Sequence, residues 1–499
     1  MRLGRCDKFF CFDKLSSADR TPANKTISLP LYLSRIYAAG VQNRGRLLFR
    51  KRIVMDNTEK PEEAKRFRRV YKKSKNVYEA SVDRIDFIFK NFKRIYVSFS
   101  GGKDSGVMLN LVVDYMRKHG IKEKVGVMIL DNEANYEHSL QFMHSILKKN
   151  LDILDVYWCC LPITLPCTVS QYAVDWQCWG ERDKERWIRP MPSEPYIVHI
   201  NNHKFDFFRE DMSYDEFWDN FGDWYAKGER CCCMIGIRTA ESLNRFRAIM
   251  NERKESLLGQ NWTKKNTDYV YNCYPIYDWR TEDIWTANAK FEWEYNSLYD
   301  VFYKAGVPVH KMRVASPFMS ESKSSLNLYR VIDPNVWARL CSRVQGANFI
   351  ATYGKQLNYK SFKLPPGHTW KSFVKFLLAT LPDEVAENFR KRFIQSFRVW
   401  GRVGRGLPSE VVEELRAAGI KFKLNGKTRH GRQTLDRVRI WKFPDHLDML
   451  SCHNSQVASW KRFAITILKN DHVCKYMGLA PTKEQMARQR YIMEKYKKL

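Results

Sequence analysis

Val97-Ser98-Phe99-Ser100-Gly101-Gly102-Lys103-Asp104-Ser105 joins a strand pattern to a helix pattern through two adjacent glycines. Residues 94–99 are β-branched and aromatic, and residues 103–119 repeat apolar positions at helical spacing. Gly101 and Gly102 leave the turn open, so backbone N–H groups point at an anion. The helix N-terminus adds its partial positive charge. Ser98, Ser100 and Ser105 offer hydroxyls to phosphate oxygens, and Lys103 supplies a point charge. The spacing is not Gly-x-x-x-x-Gly-Lys-Ser, so this is not a Walker-type loop.

Outward from this turn, further strand patterns occupy 124–130, 153–161, 231–237 and 271–276, and helix patterns occupy 137–149 and 239–250. Strands alternating with helices predict an α/β fold with a doubly wound parallel sheet. An insertion at about 165–230 carries Trp176, Trp179, Trp187, Trp218 and Trp224, and is expected to cover one edge of the site. From about 320 the pattern predicts a basic, mainly helical C-terminal domain ending in a charged helix over 483–499. The expected division is a weakly ordered basic tail over 1–60, a nucleotide-binding domain over 61–315 and the C-terminal domain over 316–499. Met55 opens a more ordinary sequence and is an alternative start of the functional protein. Between residues 61 and 93 a helix is expected, where the cations from Lys65 to Lys75 read as a solvated face ahead of a phosphate contact.

The 499 residues suffice for two or three domains, and 44% hydrophobic residues suffice for a core. No run approaches the roughly 20 apolar residues that span a bilayer. The opening Met1-Arg2-Leu3-Gly4-Arg5-Cys6-Asp7 has no apolar run behind it, so a cytoplasmic location without membrane contact is expected. Thirteen cysteines, clustered at Cys159-Cys160, Cys167, Cys178 and Cys231-Cys232-Cys233, do not read as a secreted disulfide scaffold. A net charge of +30 points to an anionic partner, DNA or RNA most simply.

Ser100-Gly101-Gly102-Lys103-Asp104-Ser105 resembles the signature of the PP-loop ATP pyrophosphatases. Two further motifs resemble the phosphoadenosine phosphosulfate (PAPS) reductase family within that class. Ile235-Gly236-Ile237-Arg238-Thr239-Ala240-Glu241-Ser242 looks like its Gly-x-Arg-x-x-Glu-Ser element, and the run from Tyr274 to Trp285 is similar to its Pro-Leu-x-x-Trp-x-x-x-Asp-Val-Trp element. The resemblance covers about 94–310 and implies an adenine nucleotide alpha hydrolase-like fold, ATP or PAPS as ligand, and Mg²⁺. Arg238 would emerge at the carboxyl end of a strand, where its guanidinium grips phosphate or sulfate. Glu241 would orient Arg238 or a neighbour, and Arg245 would face the same anion. Asp131 resembles the family's strand-end Asp, a ribose or Mg²⁺ ligand, with a plain turn residue equally open. Lys103, Asp104 and Arg238 are the expected catalytic residues. Thr281 reads as a helix N-cap, and Trp279 and Trp285 as packing.

Residues 241–247 and Ser459-Trp460-Lys461-Arg462 resemble a narrower group with an extra C-terminal domain, the immunoglobulin-binding regulator A-like proteins. That resemblance implies a ParB/sulfiredoxin-like partner. PAPS reductases that release sulfite use a Cys in a Glu-Cys-Gly-x-His-like motif, which this sequence lacks; Cys474 in His472-Val473-Cys474-Lys475-Tyr476 is a poor match. Related adenylylsulfate reductases hold an iron–sulfur cluster on Cys-Cys and Cys-x-x-Cys pairs, and no Cys-x-x-Cys occurs here. Alternation along a strand would split Cys231-Cys232-Cys233 between two faces, so buried thiols are favoured over cluster ligands. The histidines form no metal pattern. Cations from Arg392 to Arg439, interleaved with Phe397, Trp400, Phe422 and Trp441, suit a nucleic-acid backbone and unstacked bases, or equally a basic surface with structural aromatics. Three readings stand: a nucleotide-dependent enzyme acting on a phosphate or sulfate chain, an assimilatory reductase, and a nucleotide-gated DNA-binding regulator without turnover.

Overall fold

The computed structural model describes residues 76–251, 254–323, 325–353, 362–430, 433–449 and 457–479. The tail expected over 1–60, the cations from Lys65 to Lys75, Arg432, His453 and the helix expected over 483–499 lie outside the described residues.

Helix α1 (Val77–Asn91) starts under a capping box: Asn76 Oδ1 accepts from Glu79 N–H at 2.9 Å, and Glu79 accepts from Asn76 N–H at 3.2 Å. Then come β1 (Arg94–Ser98), α2 (Lys103–His119), β2 (Val125–Leu130), α3 (Glu137–Lys148) and β3 (Leu154–Cys160). The insertion holds a small hairpin, β4 (Thr164–Pro166) with β5 (Asp175–Gln177), then β6 (Ile197–His199) and α4 (Tyr214–Ala226). The chain continues through β7 (Cys231–Ile235), α5 (Leu243–Met250), β8 (Thr263–Lys265), β9 (Val270–Cys273), α6 (Thr281–Lys290) and α7 (Leu298–Lys304).

The main sheet runs β6-β3-β2-β1-β7-β9-β8, with every pair parallel except β8 on β9. From β1 the chain builds outward through β2, β3 and β6, then returns to add β7 on the other side. The strand order therefore reverses at β1, which is where open α/β sheets hold ligands. Ser98 pairs with Met128 on one side and Ile235 on the other. The loops after β1 and β7 consequently emerge side by side.

Two local expectations need correcting. The helix expected over 239–250 is broken: a 3₁₀ turn spans Thr239–Glu241, Ser242 is extended, and α5 begins afresh with Ser242 Oγ accepting from Arg245 N–H at 3.2 Å. A serine able to cap competes with helix continuation. Thr281 is not the N-cap of α6; Arg280 holds that place, with Asp283 accepting from its N–H at 2.7 Å.

The C-terminal part contains α8 (Asn327–Ile332), α9 (Pro334–Arg343), α10 (Ala347–Tyr353), α11 (Trp370–Thr380), α12 (Asp383–Arg398), β10 (Arg405–Leu407), α13 (Ser409–Ala417), β11 (Lys423–His430), β12 (Gln433–Arg439) and α14 (Trp460–Leu468). It is mainly helical, with an antiparallel sheet ordered β10-β12-β11 that the basic composition of 391–442 conceals. Trp370, Phe389, Phe393, Trp400, Val438 and Phe463 are buried in its core, Phe393 stacked on Phe463 at 4.3 Å. It is bound to the α/β part by polar and aromatic contacts. Tyr329 stacks on Tyr136 at 3.7 Å and donates its hydroxyl to Ala134 O at 3.0 Å. His472 Nε2 contacts Ser170 O at 3.0 Å. No helix among the described residues is long and apolar enough to cross a membrane.

Candidate nucleotide site

The turn from β1 to α2 is built to hold backbone donors open. Gly101 has φ +68°, a conformation L side chains rarely adopt, and a Cβ there would stand 2.7 Å from Met143 Sδ. Gly102 is the N-cap of α2 and makes no side-chain cap, so the first-turn N–H groups lack an intrahelical partner. Among the described residues the N–H groups of Gly101 and Gly102 donate to no protein acceptor. Ser100 Oγ and Ser105 Oγ lie 3.1 Å apart, and Ser105 Oγ donates to Gly102 O at 3.2 Å. Ser98 ends β1 half-buried beneath the turn. Asn296, fully buried, fixes the loop from behind by donating to Gly101 O and to Ser139 Oγ, both at 2.8 Å. Donors, an uncapped helix end and hydroxyls together fit a phosphate chain.

Lys103, Asp104 and Arg238 form one buried cluster beside this turn. Asp104 Oδ2 accepts from Lys103 Nζ at 3.0 Å, and Oδ1 from Arg238 Nε at 2.6 Å. Burial would raise the Asp104 carboxyl, but the cations on either side hold it below its ordinary value. Burial also lowers the Lys103 ammonium, with Asp104 opposing. Lys103 Nζ donates further to Met312 O at 3.3 Å, and its N–H to the Tyr299 hydroxyl at 3.1 Å. Arg238 reaches Trp279 O at 3.4 Å and Thr281 Oγ1 at 3.5 Å, so Thr281 faces the arginine instead of capping its helix. Gly236 makes this approach feasible: a Cβ there would stand 2.8 Å from Asp104 O.

Glu241 turns away from the Arg238 guanidinium. It accepts from Arg238 N–H at 3.0 Å, pairs with Arg245, and lies 3.8 Å from Arg313. Asp131 belongs to another set, at the end of β2. Its carboxylate is paired with Arg189 and accepts from Trp158 Nε1 at 2.7 Å and Glu133 N–H at 2.8 Å. Arg189 also lies 4.9 Å over the Trp179 ring, whose Nε1 donates to Asp131 O at 2.9 Å, so the insertion packs on this strand end. Neighbouring Glu133 pairs with Arg343 of the C-terminal part at 3.3 Å. Burial raises the Glu133 carboxyl against that pairing.

The carboxylates do not fit a magnesium site as arranged. Both oxygens of Asp104 and both of Asp131 are already held by cations and N–H groups. Octahedral Mg²⁺ needs free carboxylate or phosphate oxygens. Among the described residues no group of three or more His, Cys, Asp or Glu side chains converges to hold a metal ion. Cys231, Cys232 and Cys233 are all buried on β7, and burial raises the Cys231 and Cys232 thiols.

Comparison with known proteins adds the family. A model described as phosphoadenosine phosphosulfate reductase domain matches residues 94–305, and one described as a domain of unknown function, DUF3440, matches 306–488. The chain is 30% identical over 417 residues to "Uncharacterized protein YbdN" of Escherichia coli (strain K12), covering 82% of this chain and 92% of that protein. This chain belongs to the PAPS reductase family. Its members are nucleotide-using PP-loop proteins, and this one carries the additional C-terminal domain. Solved structures with partial likeness include a PAPS reductase from Candida auris in phosphate complex, 9% identical with TM-score 0.23, covering 44% of this chain and 84% of that one. An FMN adenylyltransferase from Candida glabrata with FMN and an ATP analogue is 15% identical with TM-score 0.28; the match spans 45% of this chain and 59% of that one, under two thirds of its length. A U34-tRNA thiolase, NcsA, from Methanococcus maripaludis with its [4Fe-4S] cluster is 13% identical with TM-score 0.26, covering 56% of this chain and 79% of that one.

Tyr299, Asn296, Arg313, Arg189 and Arg343 complete these sites and carry no motif. Each comes from a segment more than fifty residues from its partner in the chain, so only the fold brings them together.

Proposed function

We propose that residues 98–105 and Arg238 hold the phosphate chain of ATP or PAPS, and that this PAPS reductase-family protein acts on that chain. The carrying observation is the meeting of unpaired Gly101 and Gly102 N–H groups with Lys103 and Arg238, both within 3.0 Å of one carboxylate. The loop N–H groups and the Ser100 and Ser105 hydroxyls bind phosphate oxygens. Lys103 and Arg238 face the charge that builds on departing pyrophosphate or sulfate, and Asp104 keeps both cations aimed at the turn. Glu241 fixes the backbone from which Arg238 projects. A magnesium ion would need oxygens other than those of Asp104 and Asp131, which the surrounding cations and N–H groups already occupy. The +30 charge favours DNA or RNA as acceptor, and the family resemblance favours a ParB/sulfiredoxin-like protein as partner, in a cytoplasmic setting.

Sulfite release is disfavoured. Cys474 is fully buried in the C-terminal core, where burial pushes its thiol up to about 12. Attack on sulfur needs an accessible thiolate.

The test is calorimetric binding of ATP and of PAPS, followed by assay for pyrophosphate, AMP and sulfite. ATP binding with pyrophosphate release supports adenylating chemistry; PAPS binding with sulfite release supports the reductase instead. ATP binding without any product in the presence of nucleic acid favours the regulator. Lys103→Ala and Arg238→Ala should each cost about a hundredfold or more in turnover while the circular dichroism stays unchanged. Full activity in either variant would overturn the assignment.

A further inference from the structure

The sheet of the C-terminal domain turns one face to the core and the other to water. Val438 and Leu407 lie on the core side, buried. The register defines the opposite face: Gly406 opposes Arg437, and Lys423 opposes Arg439. A Cβ on Gly406 would stand 2.6 Å from Thr428 Cγ2 and 3.2 Å from Leu435, which places those residues on the same side and shows the sheet curling there, since β12 lies between β10 and β11. Lys423, Arg437 and Arg439 therefore share one side of the sheet.

That side is electrostatically unbalanced. Like charges directly opposite across an antiparallel pair destabilise it. None of the three cations forms an ion pair among the described residues. The sheet's acidic residue, Asp436, opposes Leu407 on the core side, where it accepts from the Ser409 hydroxyl at 2.8 Å. Just past β12, Trp441 is 54% exposed, with the Arg439 guanidinium 5.1 Å over its ring. Along the edge strand β11, Lys427 and Arg429 are exposed as well.

We propose that the face carrying Lys423, Arg437, Arg439 and Trp441 binds single-stranded nucleic acid, with a base stacked on Trp441 and phosphates on the three cations. An anionic polymer relieves the cross-strand repulsion, and an exposed indole between cations suits the unstacked base that a single strand offers and a duplex does not. This inference deepens the preceding reading of DNA or RNA as partner and rests on it for that, but not on the nucleotide chemistry.

The experiment uses full-length protein, with fluorescence anisotropy of labelled oligothymidylate and oligouridylate against a mixed-sequence duplex and phosphatidylserine-containing vesicles. A single strand should bind more tightly than the duplex. Trp441→Ala should weaken it by about fivefold or more, and Trp441→Phe should restore most of the loss. Lys423→Gln with Arg437→Gln should flatten the slope of log affinity against log salt by about 0.7 for each phosphate contact removed. ATP affinity and circular dichroism should stay as in the wild type in all of these. The proposal is overturned by unchanged oligonucleotide affinity in both the tryptophan and the charge variants, by equal preference for duplex, or by vesicle binding that these substitutions remove while oligonucleotide binding persists. Lys103→Ala losing ATP binding but keeping oligonucleotide affinity separates this surface from the nucleotide site.

Discussion

Asp104 is the residue on which the candidate site turns, because Lys103 and Arg238 both end on it. Its folded carboxyl titrates below its ordinary value of 3.8. A depressed carboxylate contributes stability that is complete above the unfolded value and fades as pH falls through the folded one. The stability advantage of wild type over Asp104→Asn, measured by urea unfolding, should therefore be constant at neutral pH and shrink on acidification below about 4. An advantage that instead grows on acidification would contradict the pairing. At this scale the contiguous run 100–105 suggests an anion cradle from sequence alone, and the fold brings Arg238 to it through Asp104. Asp131 was not legible in this way. A strand-end Asp reads the same whether it waits for ribose or is neutralised by Arg189, and only the fold shows the buried pair.

Among the elements, the parallel strands announced themselves through continuous apolar runs such as Val125–Leu130, buried almost throughout. Elements of three residues did not. Ile197–His199 joins the main sheet beside β3, yet three residues carry too little period to distinguish from loop. The β11–β12 ribbon was hidden for a different reason: five of its residues are Lys or Arg, and Leu424, Leu435 and Val438 are too few and too widely spaced among them to show a strand period. β7 shows how a suggestive composition becomes plain packing. Its three thiols are fully buried, as is Cys273 on β9, whereas Cys341 on α9 is only partly covered. Among the described cysteines, brief treatment of native protein with N-ethylmaleimide should label Cys341 well ahead of Cys231, Cys232, Cys233 and Cys273, as read by peptide mass spectrometry. Early labelling of the β7 thiols would mean the strand is not core.

For the whole molecule, the two segments matched by separate family models share a polar seam. Arg343 sits at its centre, bonded to Glu133 at 3.3 Å, to Asp183 at 2.7 Å and to Gln177 O at 2.6 Å. Removing one partner of a buried pair leaves an uncompensated charge and costs about 3–5 kcal/mol. Arg343→Met should thus lower the urea midpoint by a corresponding amount, with the α/β and C-terminal parts still unfolding in one transition. Loss of the C-terminal signal at lower urea, with the rest unaffected, would show that the parts do not support each other. Domain division of this kind was only half readable: composition marks where the pattern changes near 320, but nothing in it reveals that residues on both sides complete one another's charges.

Lys103 reaches across the limit between the two matched segments, since its ammonium rests on the carbonyl of Met312, outside the segment that the reductase-domain model matches. A recombination event that exchanged the appended domain for a relative's would therefore not deliver a spare accessory. It would replace the carbonyl on which the Lys103 ammonium rests, and descendants of such a cross would inherit an altered setting for the loop lysine along with their new neighbour.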